Sequence, residues 1–227
     1  MFARILLVGL LLGLPVVQAL AYDEGIEYAT VPAPQPTETG GKVEVLELFW
    51  YGCPHCWHLE PIVQKWQTTM PANVSFRRMP AILGPTWEPL ARAYFAAELM
   101  GKADELHEPL FKAVQVERQR LMDVDSIAAF VATQGLDPEA FKEAYDSFFV
   151  DMQVRKAEEL GQSFGIDGVP AIVVNGKYRT TATLAGGNDK VFEVVDQLIQ
   201  LETAAAAAPA AAPADTPADA PAADAKP

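Results

Sequence analysis

In the first part of the chain, segments with apolar residues at successive positions, typical of buried strands, alternate with segments whose apolar residues have helical spacing. A short edge strand is predicted near residues 26–31, and the Pro-, Thr- and Gly-rich residues 32–41 predict a loop. Residues 43–51 are apolar on both alternating faces, which is typical of a strand buried between two layers. A helix over residues 53–69 and a strand over residues 74–79 follow. This order predicts a right-handed crossover between two parallel strands.

The middle of the chain has a different spacing. Residues 87–164 carry apolar side chains at helical intervals, with interruptions at Gly101, at residues 122–123 and at residues 135–138. We therefore expect an all-helical insertion over residues 83–164.

After the insertion, the pattern returns to that of an α/β fold. Asn175-Gly176 is a dipeptide typical of a tight hairpin, and Val169-Pro170 stands just before the first strand of that hairpin. Residues 22–82 and 165–202 are expected to form one α/β domain that the insertion divides. The elements predicted in its second half are strands over residues 171–174 and 177–181 and a helix over residues 189–201.

The two ends of the chain have compositions that differ from the rest. Arg4, the apolar run over residues 5–14 and the small residues before Tyr22 predict a signal peptide over residues 1–21. That run is shorter than the roughly 20 residues that span a bilayer, so we expect an exported protein that is not inserted in a membrane. Residues 203–227 are mainly Ala, Pro and Asp and predict a disordered tail.

Charge and cysteine content narrow the classes of function. The 227-residue chain has a formal net charge of −13 at pH 7, which argues against nucleic acid as a partner. Its two cysteines, Cys53 and Cys56, are three residues apart, and a disulfide closing so short a loop restricts the unfolded chain little. The spacing favours redox chemistry over structural cross-linking. We expect a monomer with no metal ion and no cofactor beyond this redox-active cysteine pair.

The motif Cys53-Pro54-His55-Cys56 stands where the buried strand passes into a helix. Pro54 suits the first helical position, where its missing N–H costs nothing. The unpaired N–H groups and the dipole of the helix favour a thiolate on Cys53, and His55 adds a donor or a positive charge. Cys56 lies on the same helical face and is expected to stay more buried. Cys53 is therefore predicted to attack or be attacked, and Cys56 to resolve the mixed disulfide.

A stabilised thiolate also sets the direction of the reaction. Each pKa unit by which Cys53 falls below the ambient pH stabilises the reduced protein by about 1.4 kcal/mol. The pair is therefore predicted to be an oxidant that passes its disulfide to substrates.

Two segments of the chain resemble the DsbA family of periplasmic protein disulfide oxidases: EVLELFWYGCPHCWHLEP and GVPAIVVNGKYR. The resemblance covers residues 22–202 and implies a thioredoxin-like fold with an inserted all-helical domain. It also implies that the protein donates its disulfide to newly exported, reduced or unfolded proteins in the periplasm. Reoxidation would come from the inner-membrane protein DsbB, which uses quinone.

The same resemblance implies roles for residues outside the motif. Val169-Pro170 matches the family's cis-proline loop, which packs against the active-site sulfurs and pairs with an extended substrate segment; the alternative is a trans proline that opens a strand. Glu47 matches a buried acid that relays a proton to or from Cys56, and an unpaired buried carboxyl needs a partner or a raised pKa. The alternative for Glu47 is a strand-end charge that reaches water. Glu60 matches another family acid near the site. The alternative for Glu60 is a position on a solvated helix face.

Other polar and aromatic residues near the motif receive plainer interpretations. Trp50, Tyr51 and Trp57 could form an apolar rim for unfolded chains, although aromatic residues beside a buried strand are more often part of the core. His58 and His107 are expected on solvated helix faces.

Three other functions stay open at this point. Cys53, His55, Cys56 and His58 are competent ligands for zinc or copper, but successive residues on one helical turn converge poorly around a tetrahedral ion. An isomerase or reductase of the same fold would use the same motif. A redox-inert chaperone would use the apolar rim and would not need Cys53.

Overall fold

A computed structural model describes residues 22–207 of the chain. The predicted signal peptide over residues 1–21 and residues 208–227 of the predicted tail lie outside the described residues. Within residues 22–207, the strands form one mixed sheet and the helices cover both of its faces. The strands are β1 (Ala29–Thr30), β2 (Val43–Phe49), β3 (Val74–Pro80), β4 (Ala171–Val174) and β5 (Tyr178–Thr181).

The helices fall into two groups by position in the chain. Helix α1 connects β2 to β3, a consecutive series lies between β3 and β4, and the last two follow β5. Their bounds are α1 (Pro54–Gln67), α2 (Glu88–Leu99), α3 (Ala103–Gln115), α4 (Val124–Thr133), α5 (Pro138–Tyr145), α6 (Phe148–Ser163), α7 (Ala182–Ala185) and α8 (Val191–Ala207).

The sheet has the order β1-β5-β4-β2-β3. Strands β2 and β3 are parallel, as the strand-helix-strand pattern predicts, and their register sets Glu47 opposite Arg78. The remaining pairs, including the β4–β5 hairpin at Asn175-Gly176, are antiparallel. Strand β2 is therefore central, and its carboxyl end leads directly into the cysteine motif.

Strand β2 is buried at every position because helices pack on both faces of the sheet. Val43 and Val45 belong to the apolar core shared with α1 and α8. Leu46 and Leu48 belong to the core shared with the helical insertion. Burial of each such side chain contributes on the order of 2 kcal/mol, so the strand that carries the motif is held firmly from both sides.

Three local differences from the sequence prediction have identifiable causes. The strand expected over residues 26–31 is only the two residues of β1, because a turn with Gly25 at φ +84° precedes it and Pro32 follows it. The insertion has a further break before α6, where the Ser147 hydroxyl accepts a hydrogen bond from the Val150 N–H at 3.3 Å. Helix α7 was not predicted; its N-cap is Thr181.

The predicted boundary of the tail at residue 203 is wrong. Helix α8 runs on to Ala207, so residues 203–207 are helical. Glu202 is buried in this helix and pairs with Lys177 at 2.7 Å. The alanines that follow it continue the helix because alanine has the highest helix propensity.

Candidate active site

Cys53 lies at the N-cap of α1, directly after β2, and is only 8% exposed. Its Sγ accepts a hydrogen bond from the Cys56 backbone N–H at 3.4 Å. Pro54 occupies the start of the helix, and His55 is exposed beside the motif. The contacts around the two sulfurs are those of free cysteines.

The surroundings of Cys53 favour its thiolate. A hydrogen bond from the Cys56 side chain, aided by the backbone N–H groups of Cys56 and His55 and by the charge of His55, lowers the pKa of Cys53 from 9.0 to about 6. Burial of the sulfur opposes this shift but does not cancel it. Cys53 is therefore largely ionised at neutral pH.

Cys56 has the opposite environment. It is fully buried, and this burial, together with the hydrogen bond it gives to Cys53, raises its pKa well above the usual range. An ionised Glu47 adds to this shift. Cys56 consequently keeps its proton when Cys53 is ionised, and the two sulfurs of the motif are chemically distinct.

The Val169-Pro170 loop approaches the motif from the other half of the fold. Its peptide bond is cis, and the Cys53 thiol lies 3.4 Å from the Val169 carbonyl oxygen. A groove of about 690 Å³ opens beside this contact and is lined by His55, Val169, Pro170 and Leu184, among others. The groove therefore offers space for a substrate segment beside the contact between Cys53 and Val169.

Three ionisable side chains lie together beneath the motif, and the two carboxyl groups among them are buried. Arg78 donates from Nε to Glu47 Oε2 at 3.2 Å and from Nη2 to Glu60 Oε2 at 3.2 Å. Glu47 is fully buried, and Glu60 is 2% exposed, so neither residue lies on a solvated surface. Burial and the nearby negative charge of Glu60 raise the pKa of Glu47 from 4.5 to about 8, although Arg78 acts against this shift.

The position expected for His107 is wrong, whereas His58 is exposed as predicted. His107 is 4% exposed and lies between the Tyr51 hydroxyl, 3.0 Å from Nδ1, and Glu60, 2.9 Å from Nε2. Helix α3, which looked like one more amphipathic helix of the insertion, therefore turns this histidine toward the motif. Helical spacing places a residue on a face but does not say what covers that face.

The aromatic residues flanking the motif divide between core and surface. Tyr51 is buried and contributes to the core beneath the insertion. Trp50 stacks on Trp87 at 4.2 Å between ring centroids, and Trp57 is half-buried against Phe111. Tyr51 therefore takes no part in an apolar rim.

Sequence reasoning missed two further residues that contact this region. Arg78 could have been found from the parallel register of β2 and β3, which sets it opposite Glu47. Gln115 donates from Nε2 to the Tyr51 carbonyl at 2.7 Å, and nothing in the local sequence signals that long-range bond.

Among residues 22–207, no three His, Cys, Asp or Glu side chains are grouped so that they could hold a metal ion. The site instead presents one stabilised thiolate, one buried thiol three residues on and an adjoining groove. The site lies on a mixed sheet with a helical insertion between its two halves. Together, this site and this fold define a thiol:disulfide oxidoreductase of the thioredoxin-like class.

Comparison with known proteins identifies the family. Residues 44–199 match the model of the DSBA-like thioredoxin domain. The chain is 40% identical to the thiol:disulfide interchange protein DsbA of Pseudomonas aeruginosa over 189 residues, which cover 83% of this chain and 90% of the relative. It is 41% identical to that of Azotobacter vinelandii over 181 residues, 80% of this chain and 85% of the relative.

Solved structures agree with this assignment. The crystal structure of Pseudomonas aeruginosa DsbA has a TM-score of 0.78 at 40% identity, covering 82% of this chain and 96% of that one. DsbA from Xylella fastidiosa has a TM-score of 0.74 at 31% identity, covering 78% and 96%. The chain belongs to the DsbA family of thiol:disulfide interchange proteins, and the predicted fold and class of enzyme are confirmed.

Proposed function

We propose that the protein is a disulfide oxidase that donates its Cys53–Cys56 disulfide to reduced or unfolded proteins newly exported to the periplasm. The observation that carries this proposal is the lowered pKa of Cys53, about 6. A thiolate that is stabilised in the reduced protein makes reduction of the disulfide more favourable. The oxidised protein is therefore a stronger oxidant. Catalytic turnover requires reoxidation, which we assign to a DsbB-like inner-membrane oxidase linked to quinone.

The reaction proceeds in two exchanges. A substrate thiolate attacks Cys53 Sγ, the Cys53–Cys56 bond breaks, and its electron pair passes to the Cys56 sulfur. A second substrate thiolate then attacks the substrate sulfur of this mixed disulfide, and Cys53 leaves as a thiolate. The substrate loses two electrons and gains a disulfide, and this protein ends as the dithiol.

Residues around the sulfurs support each exchange. The groove beside Val169 and Pro170 receives an extended substrate segment next to Cys53. His55 and the N–H groups at the start of α1 stabilise the leaving thiolate of Cys53. Glu47 supplies the proton that the buried Cys56 sulfur requires as it leaves, because a carboxyl with a pKa of about 8 is protonated at neutral pH.

The periplasm as the place of action rests on the sequence and on the family. The predicted signal peptide supports export, and the family resemblance supports this compartment. Within residues 22–207, no helix is both long and apolar enough to cross a bilayer.

A thiol-balance experiment tests the proposed direction. The oxidised protein is mixed with a reduced, denatured test protein, and thiols on both partners are counted with time. We expect two thiols to appear on this protein for each disulfide formed in the substrate, and quinone-containing membranes to allow more than one turnover. Cys53→Ser is expected to abolish the transfer, whereas His58→Ser, an exposed change on the same helix, leaves the transfer intact.

The rival functions give different results in the same assay. An isomerase would restore activity to a scrambled test protein better than to a reduced one. A redox-inert chaperone would be unaffected by Cys53→Ser. Either result would contradict the proposed oxidase.

A further inference from the structure

A continuous series of buried hydrogen bonds joins the helical insertion to the charged groups beneath the motif. The Tyr51 hydroxyl contacts His107 Nδ1 at 3.0 Å, and His107 Nε2 contacts Glu60 Oε1 at 2.9 Å. Arg78 donates to the other oxygen of Glu60 and to Glu47, both at 3.2 Å. Neither the family resemblance nor the proposed reaction assigns a role to His107, which is the contribution of α3 to this series.

The two partners of His107 are compatible with a neutral ring when Glu60 is ionised. When Glu60 is ionised, its oxygens only accept, so Nε2 carries the hydrogen that is donated to Glu60. Nδ1 then accepts from the Tyr51 hydroxyl, and both ring nitrogens are satisfied by a neutral imidazole.

The groups packed around His107 also favour this neutral form. Burial is the largest influence and lowers the pKa of His107; Arg78 on β3 acts in the same direction. Glu60 on α1 and Asp104 on α3 act in the opposite direction but are outweighed. Tyr51 and Tyr94 are the other titratable groups that face the ring, and burial raises the pKa of both phenols, so both stay neutral.

With His107 neutral, the buried cluster contains two carboxyl groups and one guanidinium, so a single proton on the carboxyl pair makes it electrically neutral. Buried net charge is costly, and the pair therefore retains one proton. Both oxygens of Glu60 accept hydrogen bonds, one from His107 and one from Arg78. Glu47 accepts only at Oε2, and its Oε1 has no hydrogen-bond partner among residues 22–207. The proton is accordingly favoured on Oε1 of Glu47.

We propose that His107 is a positioning residue that holds the shared proton on Glu47 by donating its own N–H to Glu60. This inference rests on the proposed function, in which Glu47 protonates the sulfur of Cys56. Without the His107 donor, a negative charge on Glu60 would be less stabilised than one on Glu47. The proton would then move to Glu60, away from Cys56, which needs it.

The proton balance of the step is simple. As the Cys53–Cys56 bond breaks, the electron pair goes to the Cys56 sulfur, which takes the proton of Glu47. Glu47 becomes a carboxylate beside Arg78 and regains a proton from solvent before the next cycle. His107 and Glu60 keep their hydrogen bond and their charge throughout.

Infrared spectroscopy of the buried carboxyl groups tests where the proton lies. The band of a protonated carboxyl is assigned to one of the two residues from their side-chain carboxyl carbon resonances in NMR, which differ between the protonated and the ionised form. In the natural protein at pH 7, we expect the band to belong to Glu47. In His107→Leu it should belong to Glu60, and in His107→Gln, whose amide can donate to Glu60 and accept from Tyr51, it should return to Glu47.

A matched variant separates this role from packing. Phe111 packs against the His107 ring at 5.1 Å between centroids without a hydrogen bond. Phe111→Leu is expected to lower stability while leaving the band on Glu47. A Glu47 band in His107→Leu, or a Glu60 band in the natural protein, would overturn the inference.

Kinetics and resonance assignment provide independent tests. Glu47→Gln should slow disulfide transfer in the natural background but cause no further loss in His107→Leu, because that variant has already lost the Glu47 proton. If the variant does not fold, nitrogen NMR of the unmodified protein decides: a cationic His107 at pH 7, or a hydrogen on Nδ1, overturns the inference. The proposed function fails separately, if the natural protein transfers no disulfide in the thiol-balance experiment.

Discussion

At the scale of single residues, the chemistry depends on the different environments of two identical side chains, those of Cys53 and Cys56. Cys53 lies at the start of a helix, where donors surround its sulfur, and Cys56 lies one turn on in the apolar interior. The sequence alone could predict this contrast, because Pro54 and the preceding buried strand determine where the helix begins. It could not predict that Glu60 and His107 meet, since they are 47 positions apart and on different helices.

Replacing Glu47 by Gln is expected to stabilise the protein, and to do so more at high pH. The pKa of Glu47 is about 8 in the folded protein against 4.5 ordinarily, so the folded chain holds a proton that the unfolded chain releases. The resulting stability is fully present below about 4.5 and is lost as the pH rises through about 8. Gln cannot ionise and avoids this loss. Thermal unfolding should give a gain in Tm at pH 8 that exceeds the gain at pH 5 by about 3 °C or more.

Glu44→Gln provides the matched control on the same strand. Glu44 pairs at 3.0 Å with Arg77, whose side chain is 42% exposed, so its loss removes a partly solvated ion pair. No gain in Tm is expected for Glu44→Gln. A gain for Glu47→Gln that is larger at pH 5 than at pH 8 would show that Glu47 is ionised in the folded protein.

At the scale of elements, the insertion supports the motif through α3. Gln115 donates to the carbonyl of Tyr51, two residues before Cys53, and His107 bonds the hydroxyl of the same tyrosine. The strands, the hairpin and most helices were predictable because their patterns are local. The start of α6 was not, because apolar residues at 148–150 continue the helical spacing across the break at Ser147.

Replacing Gln115 by Met is expected to lower the free energy of unfolding by about 1–3 kcal/mol, since the buried Tyr51 carbonyl loses its donor. Urea unfolding of the reduced protein measures this change. The control is Gln119→Met, which removes only an exposed hydrogen bond to Glu117 and should change the free energy of unfolding by less than about 0.5 kcal/mol. Equal effects of the two substitutions would mean that α3 does not support the motif through Gln115.

At the scale of the whole molecule, the order of elements was sufficient to predict two halves of an α/β fold with a helical insertion. The last helix was predicted too short because alanines were interpreted as tail, although they extend a helix that is already anchored by Glu202. The groove beside Cys53 needed the structure, because its walls come from the motif and from residues 167–188, which are distant in the chain.

The central claim is that the fold stabilises the reduced protein by stabilising the thiolate of Cys53. The most direct test is the reduction potential, measured against glutathione over a range of pH. With the pKa of Cys53 at about 6, reduction takes up one proton above that pH and two below it. The account predicts a potential more positive than the roughly −270 mV of thioredoxin at pH 7. It also predicts a slope that changes near pH 6 from about 59 to about 30 mV per pH unit. A change of slope near pH 9, with a potential at or below that of thioredoxin, would contradict it.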